Sequence, residues 1–268
     1  MSALAHAARA YPTLLRVGLA GAIAYRAEML VWMLTTTMPL VSLALWAAVA
    51  AEGPVGGFTQ QRFGAYFLTT LVVRQLTGSW LVWVLNQEIR SGALAQRLLK
   101  PLHPLIGYSA ENLSALPLRA ALSAPIAIIG VLVIEPGALT LSPGRVMVFL
   151  IALVGAWAIN FFTMALIGSL AFFLESSTAI FEIWLVAFGL LSGYLVPLEL
   201  FPPWLQSVAF ALPFRYTVAF PVEAILGTLR GGDLLVNLGM QWGYVLACAL
   251  GAELLWRAGL RRFGAFGG

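Results

Sequence analysis

The sequence is poor in charge, in lysine and in cysteine. Charged side chains make up 10% of its 268 residues, Lys100 is the only lysine, and Cys248 is the only cysteine. A single cysteine excludes an intrachain disulfide and a cysteine-based zinc cluster. The low charge, together with 61% hydrophobic residues and a mean hydropathy of +0.92, excludes a soluble globular domain, a disordered chain and a nucleic-acid-binding domain. The composition predicts a polytopic membrane protein.

The motifs of several enzyme classes are also missing. A phosphate-binding loop needs a lysine followed by serine or threonine, whereas Lys100 is followed by Pro101. His6 and His103 lie in separate segments, and the sequence has neither an H-E-x-x-H metal motif nor a G-x-S-x-G nucleophile motif. We therefore expect that the chain is not an enzyme by itself and that it holds no metal and no cofactor.

Six apolar stretches predict an all-α fold with six transmembrane helices, since a spanning helix needs about 20 mostly apolar residues. Basic residues concentrate on the cytoplasmic side of membranes. If the N-terminus is cytoplasmic, ten basic residues lie inside, four lie outside, and Arg74 falls within the second span. This bias predicts two cytoplasmic termini. The approximate spans are residues 27–50, 63–85, 120–134, 146–174, 178–196 and 234–256.

Residues 1–26 predict an amphipathic helix that lies in the membrane interface. At helical spacing His6, Arg9, Thr13 and Arg16 share one side, while Leu15, Leu19, Ala22 and Ile23 lie toward another. Residues 27–268 then form a single six-span membrane domain. A frayed tail is the alternative, which Pro12 would favour.

Two further segments are neither spans nor simple loops. Residues 86–119 form the longest polar interruption, in which Leu94, Leu98 and Leu99 make a short amphipathic turn before Pro101. Such a segment is either an idle connector or a docking element for a cytoplasmic partner. Residues 197–230 are too rich in proline to span and too apolar for a free loop, so they predict a re-entrant hairpin of two short helices.

Polar side chains within the spans have two interpretations. Charge in hydrocarbon is costly, so Arg74 and Glu182 are either functional or members of buried ion pairs. Asn160, Ser192 and Tyr194 either form helix–helix hydrogen bonds or line a pathway. Two G-x-x-x-G pairs permit close helix packing, within the chain or against a second subunit. They are Gly189 with Gly193 and Gly239 with Gly243.

Four stretches, in order along nearly the whole chain, resemble one family. They are Tyr25-Arg26-Ala27, F-T-Q-Q-R-F-G-A-Y-F-L-T-T-L-V, E-I-R-S-G-A-L-A-Q-R-L-L-K-P-L-H-P-L and S-G-Y-L-V-P-L-E-L-F-P-P-W-L-Q-S-V-A-F-A-L-P-F-R-Y. The chain resembles the permease subunits of ATP-binding cassette exporters of the second type, in particular bacterial six-span permeases. Lys100 is a mild departure, because arginine is expected before the proline.

The resemblance implies a partner set and a mechanism. Two permeases, in a homodimer or a heterodimer, would form the translocation pathway in the bacterial cytoplasmic (inner) membrane, surrounded by lipid. Separate ATPase subunits would hold ATP and magnesium, the loop between spans two and three would be the coupling helix, and the hairpin would cap the outer end. The coupling residues would be Leu94, Arg97, Leu98, Lys100, Pro101, Leu102 and His103.

Two other classes stay open from the residues alone. A secondary transporter driven by an ion gradient predicts paired intramembrane acids and internal repeats, neither of which is evident. A membrane-embedded enzyme predicts a catalytic constellation near one interface, which is not evident either.

Overall fold

A computed structural model of the chain describes residues 3–25, 27, 31, 34, 36–134, 142–229 and 231–263. In these ranges the regular structure is helical, apart from one isolated bridge between Val55 and Phe58. The predicted all-α class is confirmed. The α-helices are α1 Ala3–Ala24, α2 Met38–Val49, α3 Gln60–Thr77, α4 Leu81–Ser91, α5 Leu94–Leu98, α6 Pro104–Ser114, α7 Leu116–Ile134, α8 Pro143–Ser169, α9 Thr178–Leu191, α10 Pro203–Phe210, α11 Ala219–Leu226 and α12 Gly231–Phe263.

Four helical stretches in the described part of the chain are long and apolar enough to cross a membrane. They are Gln60–Ser91, Pro104–Gly130, Pro143–Phe172 and Gly231–Phe263, with 27 to 33 residues each. A span needs about 20 residues, so the chain is a multi-pass membrane protein. The predicted third span, 120–134, lies within α7, which is part of a longer helical stretch. Only Ala115 separates α6 from α7, so the apolar stretch starts at Pro104.

The other two predicted spans correspond to shorter helices. Helix α2 has 12 residues and α9 has 14, which gives lengths of about 18 and 21 Å against a hydrocarbon core of about 30 Å. The predicted span 27–50 lies partly outside the described residues. Within the described ranges, four helical stretches rather than six have the length of a full span.

The long helices α8 and α12 run side by side in the same direction. A Cβ atom on Gly155, in the first half of α8, would lie 2.6 Å from Gln241 of α12. Near the other end, a Cβ on Gly259 would lie 2.2 Å from Phe172. Both glycines therefore permit close approach of the two helices, and the N-terminal ends of α8 and α12 lie at the same end of the bundle.

Helix α4 joins the same parallel set, whereas α7 runs against it. Gly168, near the end of α8, packs on Leu85 of α4. Phe149, near the start of α8, packs in one cluster with Phe63 near the start of α3, so α3 and α4 point in the direction of α8. Gly130, near the end of α7, packs on Leu68 in the middle of α3, whereas Arg119, near the start of α7, reaches Gly78 just after α3. The long helices therefore alternate in direction along the chain from α3–α4 to α8, as successive membrane crossings require.

Much of the outer surface of the bundle is apolar. Large hydrophobic side chains stay exposed along several helices, including Leu45, Ile129, Ile183 and Leu250. A soluble monomer rarely exposes a continuous apolar surface of this kind. Lipid or another subunit covers it in the membrane.

The N-terminal helix α1 packs on α6. The hydroxyl of Tyr11 lies 3.1 Å from that of Ser109, and a Cβ on Gly18 would lie 2.4 Å from the hydroxyl of Ser114. The predicted polar side chains are exposed and most of the predicted apolar ones are half-buried, although Ile23 is exposed. The side chain of His6 lies outside what the structure describes. The exposed set is Arg9, Thr13 and Arg16, and the half-buried set is Leu15, Leu19 and Ala22.

Residues 197–229 fold as a compact helical unit against the bundle, here called the hairpin. It contains two short helices, α10 and α11, with a 3₁₀ turn at Pro213–Thr217 between them. Leu198, Ala209 and Phe220 are fully buried, whereas Trp204 and Val208 are exposed. Most of its backbone hydrogen bonds are made within the unit, and the N–H of Ala219 donates to the carbonyl of Ser192 just before it, as irregular backbone at membrane depth requires.

Gly193 connects α9 to the hairpin, and it lies in a turn rather than in a helix. The predicted helix-packing role for Gly193 is therefore wrong, since α9 ends at Leu191 and Gly193 has a φ of +83°. A Cβ there would lie 2.4 Å from the hydroxyl of Tyr66, which donates to the carbonyl of Gly193 at 2.8 Å. Only glycine fits both the backbone conformation and the space.

We expect Gly193→Ala to destabilise the protein clearly, whereas Gly189→Ala has little effect. A left-handed backbone alone costs an L-residue about 1–2 kcal/mol, and the clash with Tyr66 adds to this. A Cβ on Gly189 would make only an ordinary contact, 3.4 Å from Leu195. Thermal melting of both variants in detergent measures the difference. Equal melting temperatures would contradict this account of the turn.

Candidate functional site

The segment 94–103, here called the coupling segment, protrudes between two helices. Gly92 ends α4 with a φ of +76°, and the five-residue helix α5 follows at once. Pro104 then starts α6, where its missing N–H costs nothing. Glycine before the segment and proline after it set its two ends.

Arg97 clamps the coupling segment onto its two flanking helices. Its Nε donates to Glu88 of α4 at 2.9 Å, and its Nη1 donates to Glu111 of α6 at 2.7 Å. Tyr108 donates from its hydroxyl to Glu88 at 2.5 Å and stacks its ring 4.2 Å from the guanidinium. Burial alone lowers the pKa of Arg97, but the hydrogen bonds and charges of Glu111 and Glu88 outweigh it and raise that pKa. The guanidinium therefore stays charged.

His103 ties the other end of the coupling segment to α12. Its Nε2 lies 3.5 Å from a carboxylate oxygen of Glu253, and its ring lies 5.9 Å from that of Trp256. Its Nδ1 accepts from the backbone N–H of Leu105 at 3.3 Å. The coupling segment thus touches α4, α6 and α12 at once, so force applied to it reaches three helices.

Some of the seven predicted coupling residues fix the segment to the rest of the chain, and others are exposed at its surface. Leu94 is fully buried in the core of the chain, and Arg97 and His103 make the contacts above. Lys100 and Pro101 are exposed and Leu102 is half-buried. Leu98 is 37% exposed and its neighbour Leu99 is 86% exposed. The structure therefore presents Leu98 and Leu99 as the apolar tip, while Leu94 faces inward.

Sequence reasoning missed the partners of Arg97. Glu88, Tyr108 and Glu111 lie 9, 11 and 14 residues from it, so no local spacing rule connects them. Glu88 and Tyr108 lie among other polar residues, since α4 also contains Asn86, Gln87 and Arg90. No signal in the sequence therefore singled them out.

Arg74 lies in a cavity of about 610 Å³ between α1, the junction of α3 and α4, and the α6–α7 junction. Its side chain is nearly buried, with the rings of Phe188 and Tyr194 at 4.9 and 6.0 Å from the guanidinium carbon. Glu182 is exposed, and in the described part of the chain no ion pair joins it to Arg74. None of the ion pairs in the described ranges includes Arg74 or Glu182, so the structure does not place either residue in a buried ion pair.

The span Gln60–Ser91 is broken beside Arg74. Helix α3 ends at Thr77 and α4 begins at Leu81. The carbonyl of Gly78 accepts from the side chains of Asn112 and Arg119, each at 3.3 Å. Side chains of the neighbouring helices thus replace a hydrogen bond that a continuous helix would make.

The other polar residues predicted within the spans lie in two places, one in α8 and one in the turn after α9. Asn160 is buried in α8, and its side-chain atoms have no hydrogen-bond partner within the described ranges. Ser192 is buried in the turn after α9, where its hydroxyl accepts from the N–H of Tyr194 at 3.2 Å. The hydroxyl of Tyr194 donates to the carbonyl of Thr36 at 3.5 Å. Ser192 and Tyr194 therefore hold the turn beside Arg74.

Gly239 and Gly243 do not pack against the described part of the chain. Both are exposed on α12, and a Cβ on either would meet no described atom within 4 Å. Of the two packing roles predicted for this pair, close approach within the chain is wrong.

The hairpin contains a buried ion pair. Arg215 donates from Nη2 to Glu223 at 2.6 Å and from Nη1 to Asn237 of α12 at 2.5 Å. Both charged side chains are about 95% buried, and the ring of Phe210 lies 4.1 Å from the guanidinium. The pair joins both parts of the hairpin to the N-terminal end of α12.

Comparison with protein families identifies one relationship. The model of a family described as ABC-2 family transporter protein matches residues 30–267. No curated protein matches the sequence.

Proposed function

Because the chain belongs to the ABC-2 family of transporter proteins, we propose that it is the permease subunit of an ATP-driven exporter. Membership of this family makes it a membrane component of an ABC transporter, which works with ABC ATPase subunits. In our proposal two permeases, identical or related, line the pathway. ATP and magnesium bind to the separate ATPase subunits, and the chain itself catalyses no reaction.

The observation that carries the coupling proposal is the presented apolar tip. Leu99 is 86% exposed although the turn that holds it is fixed by Arg97 and His103. A large apolar side chain on a rigid support is a typical anchor for a partner's pocket. Because the coupling segment touches α4, α6 and α12, closure of two ATPases would be transmitted to the helices that bound the pathway.

The proposed orientation places the coupling segment and both termini in the cytoplasm. Basic residues predicted to be inside meet at one end of the bundle, where Arg90 donates to the carbonyl of Glu175 and Arg262 lies over Phe173. Arg62, Arg145 and Arg215 lie at the N-terminal ends of α3, α8 and α12. This separation supports the positive-inside orientation of a bacterial inner-membrane protein.

Six crossings and an outer cap complete the proposal. Because α8 and α12 run in the same direction, their connection supports a crossing by α9 between them. A cytoplasmic α1 followed by an α3 that starts at the outer side supports a crossing by α2. The bilayer would be thinned at both helices, or the neighbouring segments would contribute to their length. The hairpin then lies at the outer end, and α1 lies in the cytoplasmic interface. The exposed pair Gly239 and Gly243 would face the second permease, since small residues permit close approach of helices in membranes.

We expect Leu99→Asp to weaken binding of the ATPase by at least about tenfold. Burial of one leucine contributes about 1.5–3 kcal/mol, and an unpaired carboxylate in the interface adds a further cost. Co-purification of the ATPase with the tagged permease, at matched membrane expression, measures the loss. Leu98→Asp tests the second residue of the tip in the same assay.

Two variants serve as controls. Leu99→Met keeps an apolar side chain and retains the ATPase, and Lys100→Gln, which changes an exposed neighbour, has a small effect. Equal recovery of the ATPase with wild type and Leu99→Asp would contradict the coupling proposal and favour the idle connector.

A further inference from the structure

The cavity around Arg74 contains a second arginine. Arg119, from the start of α7, lines the same cavity. Its Nη1 donates to the carbonyl of Gly78, and a Cβ on Gly78 would lie 3.3 Å from Nη1 of Arg74. Both guanidinium groups therefore approach one residue, at the break between α3 and α4.

Neither guanidinium is neutralised by the described part of the chain. The five ion pairs found there involve Arg97, His103, Arg215 and Arg257, but not Arg74 or Arg119. One carboxylate, Glu111, also lines the cavity, and it is already bound to Arg97. Two positive charges within a membrane protein are costly without a counter-charge, so the cavity is electrostatically complementary to an anion.

The rest of the lining is suited to an apolar group. Trp80, Trp83, Val84, Ala22 and Ala115 supply hydrocarbon and indole surface beside the two arginines. Trp83 is 45% exposed although it is large and apolar. A ligand that is complementary to both the arginines and the apolar lining of the cavity carries a compact anionic group and an attached apolar portion.

We propose that this cavity binds an amphiphile whose headgroup carries an anionic phosphate. Planar guanidinium groups bind phosphate oxygens through short, charge-assisted and often bidentate hydrogen bonds. Two of them, held by separate helices at Gly78, fit different oxygens of one phosphate, while the apolar chains lie along Trp83 and Val84. The inference does not rest on the coupling proposal, because no ATPase contributes to the cavity.

The test uses the full-length chain in neutral detergent without an ATPase, and native mass spectrometry to count bound lipids and measure their affinities. The probes are dioleoylphosphatidylglycerol, dioleoylglycerol without the phosphate, and inorganic phosphate without the chains. We expect one tightly bound phosphatidylglycerol per chain. We also expect dioleoylglycerol and inorganic phosphate to bind at least about tenfold more weakly, since each lacks one half of the interaction.

Arg74→Gln and Arg119→Gln should each weaken phosphatidylglycerol binding about tenfold, because each removes one charge-assisted contact. Arg62→Gln is the matched control, since it removes a half-buried arginine that lies over Phe58 and outside the cavity, and it should leave the affinity unchanged. Arg74→Lys and Arg119→Lys keep the charge, so they should retain more affinity than the glutamine variants. Higher affinity in the lysine variants than in the glutamine variants would show that the loss comes from the missing charge and not from general damage to the fold.

Two results would overturn the proposal. One is an affinity for phosphatidylglycerol that is the same in wild type and in the folded Arg74→Gln/Arg119→Gln double variant. The other is binding of inorganic phosphate at the same concentration as the lipid, which would make the cavity a simple anion site. Either result leaves the proposed ATPase coupling untouched, because that is measured by ATPase recovery.

Discussion

Arg215→Met should destabilise the folded protein by about 3–5 kcal/mol, the usual cost of removing one partner from a buried ion pair. The substitution leaves the carboxylate of Glu223, which is 4% exposed, without its cation. It also removes the link to Asn237, so the hairpin loses a connection to α12. Thermal melting and the monodisperse fraction in detergent measure the effect.

A double-variant cycle separates the two causes. Glu223→Gln removes the charge that Arg215→Met strands, so we expect Arg215→Met/Glu223→Gln to recover part of the lost stability. The part of the lost stability that the double variant does not recover reports the hydrogen bond between Arg215 and Asn237. If the double variant is as unstable as the sum of the two single variants, the pair does not interact as described.

Arg97→Gln should disconnect the coupling segment and reduce ATPase recovery by at least about tenfold. The glutamine cannot pair with Glu88 and Glu111 at the same time. The side chain of Glu88 is only 18% exposed. Its carboxylate would then keep only the hydrogen bond from Tyr108 and would lose its positively charged partner. Loss of a partner for a largely buried charged group costs about 2 kcal/mol or more, so the permease also melts at a lower temperature.

The controls for Arg97→Gln distinguish position from charge. Lys100→Gln removes the neighbouring positive charge and should preserve both ATPase recovery and melting temperature. Glu88→Gln/Arg97→Gln leaves no stranded carboxylate at Glu88, so it should melt closer to wild type while the tip at Leu99 stays misplaced. Full ATPase recovery with Arg97→Gln would show that the clamp does not position the tip.

Local features of the chain were predictable from the sequence, and contacts between distant segments were not. Hydropathy located the spans that contain α3–α4, α8 and α12, because length and composition decide membrane crossing. It did not locate the break at Gly78, because hydropathy over a window of about 20 residues averages the short polar run at residues 74–79 with the apolar residues on both sides. The break is stable only because Asn112 and Arg119 reach it from other helices.

Glycine motifs show the same limit. Gly189–Gly193 and Gly239–Gly243 have identical spacing, yet one member lies in a left-handed turn and the second pair has no neighbour within the described chain. Spacing reports which residues share a helix face, but not whether the helix continues or what lies opposite. Similarly, Arg215 and Glu223 are eight residues apart, a spacing that predicts no contact within a single helix. Their pairing depends on the bend between α10 and α11.

The interruption at residues 78–80 turns one crossing into two rods joined end to end. The inner rod, α4, has 11 residues and is about 16 Å long. A change of about 15° in its direction would displace its far end by about 4 Å. The backbone hydrogen bonds within each rod would survive such a rotation, so the movement would require no unfolding. In the proposed orientation, with α4 on the cytoplasmic side, such a rotation would let the coupling segment move while the outer half of the crossing stays fixed against the hairpin.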